Sequence, residues 1–141
     1  MFRLQCPQGD VRSMIDRVDR NVQRLLHMLE GIKRLKEMLV GISKEEFLEN
    51  YKLQDASSFN ISTIGEAAAH VSEDFQSAHP EIPWHKLRGI RNHLVHVFDY
   101  EQIDYDIVWE VATSSLPELE PMIRAALATI PLPDDFTLPE V

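Results

Sequence analysis

At 141 residues, with 44% hydrophobic content and one cysteine, the chain can bury a single core of ordinary size but cannot build a disulfide framework. A formal net charge of -9 excludes broad, sequence-independent nucleic-acid binding, which depends on neutralising many phosphates across a basic surface. Only a small basic site within an acidic protein is left open. No run of about 18 apolar residues and no apolar signal-peptide core occurs, so no membrane partner is expected, and Cys6 reads as a bystander thiol in a reducing cytoplasm.

Residues 1–9 carry a proline and a glycine without periodicity and read as a flexible lead-in to one helical domain over residues 10–130. From Asp10 the pattern is strong. Ile15, Val18, Val22, Leu25, Leu29, Ile32, Leu35 and Leu39 recur at steps of three and four, and Leu26 widens the stripe. This spacing predicts a long helix of about thirty residues ending near Gly41, suited to antiparallel bundle packing or to a dimer seam. Ser43-Lys-Glu-Glu46 is a capping box that starts a short helix through Phe47, Leu48 and Tyr51.

Asp55 to Ala78 carries Phe59, Ile61, Ile64, Ala67, Ala68, Val71 and Phe75 and predicts a second long helix. Gly65 in its middle costs about 1 kcal/mol relative to alanine, which close contact with another helix would explain. Glu66 beside it reads as solvated, and His70 as a surface or satisfied core residue. His79-Pro-Glu-Ile-Pro83 breaks the helix, because neither proline donates an N–H and each pushes its predecessor out of helical geometry. Trp84 is expected to plug the core where the next helix begins, and that helix runs to about Phe98. After a connector at 99–102, Ile103 to Ala112 resumes helical spacing, with Trp109 as a packing residue. Ser114, Ser115 and Pro117 mark a new helix start or a kink, and Leu119, Met122, Ile123, Ala126 and Leu127 make the last apolar face. Residues 131–141 hold three prolines and three acids and read as a disordered tail. With no alternating strand pattern, the fold class is all-α, an antiparallel four- to five-helix up-and-down bundle.

Within that frame, Arg88 to Tyr100 gathers the reactive side chains: two arginines, two histidines, an asparagine and a tyrosine in thirteen residues. Arg88, Asn92 and His96 stand four apart on one helix side, and His93 lies one turn from His96. Metal binding is one reading, since His93 and His96 at i,i+3 share a face and His79 and His85 are near in sequence. No cysteine or carboxylate pair completes a familiar ligand set, so no metal and no cofactor is expected. Nucleophilic catalysis has less support, because no serine or cysteine neighbours these histidines. Metal-free RNA cleavage suits the residue types best. The 2'-hydroxyl is an internal nucleophile, histidine moves protons near neutral pH, arginine matches phosphate oxygens with a charged fork, and asparagine adds neutral hydrogen bonds. A polar helix face paired with the chain's many acids is the bland alternative. Arg91 and His96 are five apart, about 140° of rotation and 7.5 Å of rise on an ideal helix, so the length of the arginine, a distorted helix, or a second copy of the motif across a two-fold axis is needed to bring them onto one phosphate.

The chain resembles a known family on Ser43-Lys-Glu-Glu-Phe47, Ile64-Gly-Glu-Ala-Ala68, Pro80-Glu-Ile-Pro-Trp84, Arg88-Gly-Ile-Arg91-Asn92, Leu94-Val-His96 and Tyr105-Asp-Ile-Val-Trp109. That family is the HepT-like branch of the HEPN domains, toxin components of bacterial and archaeal toxin-antitoxin pairs, and the likeness spans about Asp16 to Leu127. It implies a homodimer in which two Arg-x4-His motifs face one cleft of a metal-independent endoribonuclease acting on RNA. Arg91 would stabilise the phosphate, His96 would be the acid/base and Asn92 would assist, with Arg88 and His93 as secondary candidates. The implied partner is a nucleotidyltransferase antitoxin of the MNT type, which transfers AMP to a tyrosine two residues after the histidine. Here that position holds Phe98, and Tyr100 is the nearest candidate for AMP modification, on a segment about two residues longer than usual. The competing reading is a non-catalytic helical dimer module that binds a nucleotide or the nucleotidyltransferase.

Overall fold

The computed structural model describes residues 20–95, 103–132 and 134–138. Cys6, the lead-in, Ile15 and Val18 of the first apolar stripe, the connector at 99–102, and His96, Phe98 and Tyr100 lie outside the described residues. The described residues are helical without a strand: α1 (Arg20–Leu39), α2 (Lys44–Leu48), α3 (Tyr51–Ala69), α4 (Glu73–Ala78), α5 (Trp84–Val95), α6 (Tyr105–Glu110) and α7 (Leu116–Leu127). The all-α expectation therefore holds.

Each boundary has a local cause. α1 ends where Gly41 takes a φ of 74° and Ile42 N–H turns back to Leu39 O at 3.0 Å, the glycine stop expected there. The capping box closes in both directions, with Glu46 N–H on Ser43 Oγ at 3.1 Å and Ser43 N–H on Glu46 Oε1 at 3.3 Å. Two boundaries before α5 differ from the sequence reading. Tyr51 belongs to α3, because Asn50 Oδ1 accepts from Lys52 and Leu53 N–H and starts a new helix there. Gln54 meanwhile reaches back to the terminal carbonyls of Phe47 and Leu48. The expected helix from Asp55 to Ala78 is two helices. Ser72 caps α4, and Asn21 of α1 fixes that serine through both its N–H and its hydroxyl at 2.9 Å, which holds the break open.

α3 is the central helix, packed between α1 and α5. Glycine sits at both crossings. A Cβ on Gly31 would fall 2.5 Å from Ile64 Cγ1, and one on Gly65 would fall 2.5 Å from Arg91 Cβ and 2.8 Å from the Leu87 carbonyl. The close approach expected from Gly65 is thus real, and it is with α5. The Gly31–Ile64 and Asn21–Ser72 contacts run α1 antiparallel to α3, as an up-and-down bundle requires. Val22, Leu25, Leu29, Ile32 and Leu35 of the α1 stripe are buried with Phe47, Ile64, Leu116, Ile123 and Leu127. Trp84 is 6% exposed and donates its indole N–H to His79 O at 2.9 Å, so it plugs the core as expected with its polar atom satisfied.

Between α6 and α7 the chain does not restart at a serine cap. Val111–Ser115 forms a π-helical turn and Ser115 makes no capping bond, so the helix continues through a widened register. Pro117 follows in the first turn of α7, where a missing N–H costs little. Leu132 and Leu138, in the proline-rich end of the chain, are half-buried against the core.

Candidate active site

Arg91 projects from α5 at its crossing with α3, and the glycine that permits this crossing also brings Glu66 alongside it. The arginine Nε donates to Glu66 Oε2 at 2.6 Å, and Nη2 lies 2.6 Å from the same oxygen. Nη1 donates to Asn92 Oδ1 at 2.6 Å. Among the described residues, three of the five guanidinium N–H groups are therefore engaged and two remain for a ligand. On the other side of Glu66, His70 Nδ1–H donates to the Glu66 carbonyl at 2.8 Å, and that nitrogen lies 3.5 Å from Glu66 Oε1. His70, Glu66, Arg91 and Asn92 form one chain of polar contacts across α3 and α5. Both members of the central pair are partly exposed, Arg91 at 30% and Glu66 at 45%, so the pair adds on the order of 1 kcal/mol or less to stability. Its effect is to fix a flexible side chain in one orientation.

This chain of contacts borders an open groove of about 670 Å³ between α1 and α3. α1 contributes Arg24, His27, Glu30 and Arg34, α3 contributes Phe59, Glu66 and His70 among others, and Arg91 lies at one end. The remaining sequence candidates are distributed differently. Asn92 joins Arg91. Arg88 is exposed and borders neither this groove nor the second cavity. His93 turns toward α6, lining an apolar hollow of about 420 Å³ with Ile61, Ile90, Leu94, Ile107 and Val111. His79 packs its ring on Phe75 at 4.4 Å and lies 3.2 Å from Glu81, while His85 is exposed. Among the described residues no three histidine, cysteine or acidic side chains gather as metal ligands.

Two sequence expectations are corrected here. Glu66 is not simply solvated but holds Arg91, and Phe59, expected in the apolar core, is 64% exposed at the groove. The signal for Glu66 was present in its neighbour: a glycine at a tight crossing places the next side chain on the partner helix. No comparable signal marked Arg24, His27 or Arg34, whose role depends on which helix faces them.

The family described as ribonuclease HepT-like matches residues 28–126, most of the helical bundle. The chain belongs to that family. A proposed RNase of Caldanaerobacter subterraneus subsp. tengcongensis is 33% identical to it over 73% of this chain and 90% of the relative. A proposed RNase of Methanocaldococcus jannaschii is 30% identical over 84% of this chain and 91% of the relative. A third relative, named a probable ribonuclease HepT in Thermococcus cleftensis, is 33% identical over 64% of this chain and 81% of its own length. No solved structure matches the chain. The HepT-like region includes both partners of the Arg91–Glu66 pair.

Proposed function

We propose that this HepT-like chain is the toxin of a toxin-antitoxin pair, a metal-independent endoribonuclease that works as a two-fold dimer. The observation that carries this reading is the Arg91 guanidinium, oriented by Glu66 and Asn92 at the end of an open groove with two N–H donors unspent. An arginine held in that way is prepared for phosphate before substrate arrives, which is where electrostatic catalysis gains most. Family membership and relatives named for RNase activity support RNA as the substrate.

In the reaction, the RNA 2'-hydroxyl attacks the adjacent phosphorus. His96 of one copy removes that proton or returns one to the departing 5'-oxygen, and Arg91 takes the charge that builds on the non-bridging oxygens. Asn92 steadies Arg91 and offers an amide to the phosphate, with Arg88 and His93 as secondary contributors. Because Arg91 and His96 project about 140° apart on an ideal helix, the dimer brings the arginine of one copy toward the histidine of the other. The antitoxin is a nucleotidyltransferase, with Tyr100 as the phenol available for AMP transfer, since Phe98 has no hydroxyl.

Incubation of purified protein with RNA in EDTA tests the reading. Cleavage is expected, with Arg91→Ala and His96→Ala each lowering the rate by about 10²-fold or more. Equal cleavage by all three proteins, or none by any, refutes it. Absence of cleavage together with intact binding of a nucleotidyltransferase by both variants would favour a non-catalytic interaction module. A monomer in light scattering at micromolar concentration would remove the composite site.

A further inference from the structure

The groove beside Arg91 carries more charge chemistry than one catalytic arginine needs. Along α1, Arg24, His27 and Arg34 recur at steps that keep them on one face over about 15 Å. Gly31, where α1 presses on Ile64, lies between them on the groove. α3 runs antiparallel opposite, so Arg24 lies toward the His70–Glu66–Arg91 end and Arg34 toward Phe59. Three arginines and two histidines face two glutamates here, in a chain whose net charge is -9. Both glutamates are engaged, Glu30 with Arg34 at 3.4 Å and Glu66 with Arg91 at 2.6 Å. Arg24 has no acidic partner among the described residues. Phe59 at the far end exposes 64% of its surface to solvent, an unpaired aromatic face at the rim of a cationic groove.

We infer that this groove is the path by which single-stranded RNA reaches Arg91, with Arg24, His27 and Arg34 on its phosphates and Phe59 stacking a base. The inference rests on the ribonuclease reading for the identity of the polyanion. Spaced cations tracking a backbone and an aromatic face for stacking are the two elements of single-strand recognition. Stacking on Phe59 needs an unpaired base, which selects a single strand over a duplex. The acidic remainder of the surface confines RNA to this track, reconciling a local nucleic-acid site with an overall acidic protein.

The full chain carrying His96→Ala, to suppress cleavage, is titrated by fluorescence anisotropy with a labelled single-stranded oligoribonucleotide and with the same strand annealed to its complement, at several salt concentrations. The single strand is expected to bind about tenfold more tightly than the duplex. Adding Phe59→Ala weakens single-strand binding about tenfold without changing the salt slope, and Phe59→Trp restores it. Adding Arg24→Ala or Arg34→Ala weakens binding and lowers the salt slope by about one for each lost phosphate contact. Lys52→Ala, outside the groove, leaves binding unchanged. Equal affinity for duplex, or undiminished binding by the Phe59 and Arg24 variants, overturns the inference. So does dissociation of a dimer by these variants in light scattering, which would make the groove a contact for a second copy of the chain. Cleavage by the His96-intact protein separates this inference from the activity it rests on. Groove-dependent binding without cleavage keeps the path and removes the ribonuclease reading. Cleavage with unchanged KM in Arg24→Ala and Phe59→Ala does the reverse.

Discussion

Arg91 gains its significance from its partners more than from its own chemistry. A free arginine samples many rotamers, whereas here Nε and Nη2 meet one carboxylate oxygen and Nη1 meets Asn92. Glu66 therefore acts on the reaction by positioning the arginine. Glu66→Gln keeps the side-chain shape but removes the charge that holds the guanidinium, and a misplacement near 1 Å is worth up to about 10²-fold in rate. The expected outcome is a tenfold or greater fall in kcat with KM little changed, and partial recovery in Glu66→Asp. Thermal unfolding of the same variants should shift by only a few degrees, since the pair is partly exposed. An unchanged kcat in Glu66→Gln would mean that Arg91 is oriented by something else.

At the scale of elements, the site depends on how closely α5 lies on α3. Gly65 sets that distance, because any Cβ there would strike the Leu87 carbonyl at 2.8 Å and Arg91 Cβ at 2.5 Å. Backbone cannot rotate aside, so Gly65→Ala must push the helices apart at a cost of about 1–3 kcal/mol. Gly31→Ala meets Ile64 Cγ1 and Cδ1, a side chain with rotamers to spare, and should cost less. Chemical denaturation of the two variants checks the order, with Gly65→Ala expected to be the less stable and to lose cleavage disproportionately to its stability. The reverse order would place the critical approach between α1 and α3. Elsewhere the elements are joined by aromatic packing, Phe47 of α2 against Trp109 of α6 with ring centroids 5.2 Å apart, and by Lys44 meeting Asp106 at 2.9 Å. The Lys44 ammonium is held above its ordinary pKa by its hydrogen bond and charge attraction to Asp106.

Across the whole molecule, the bundle closes where α7 returns to α1. Glu120 accepts from Arg124 Nε at 2.8 Å and lies 3.6 Å from Lys36 of α1. The Arg124 hydrogen bond above all, with help from Lys36, lowers its carboxyl pKa. A carboxylate depressed in the folded state stabilises the protein above the unfolded pKa, and that contribution is lost as pH falls through the folded value. Glu120→Gln should lower Tm by about 1–3 °C at pH 7, and the difference should vanish once the pH has fallen below the lowered folded-state pKa. A difference that persists at low pH would trace it to packing and not to charge. Among the described residues no helix is long and apolar enough to cross a membrane.

Features written within a few turns of chain are legible in the sequence alone. The helical class, the stop at Gly41, the Ser43–Glu46 box and the Trp84 plug all follow from periodicity and caps, which act over three or four residues. Gly65 announced a close contact without naming its partner. Helix packing was needed to show that Glu66, twenty-five residues away, holds Arg91, that Phe59 faces solvent despite its helical register, and that two arginines and a histidine of α1 border the same groove. It also divided the helix expected over 55–78, because Asn21 reaches across from α1 to fix Ser72. These outcomes depend on where one helix crosses another and which face it turns, and crossing geometry is set by the packing of distant residues, which local pattern does not encode.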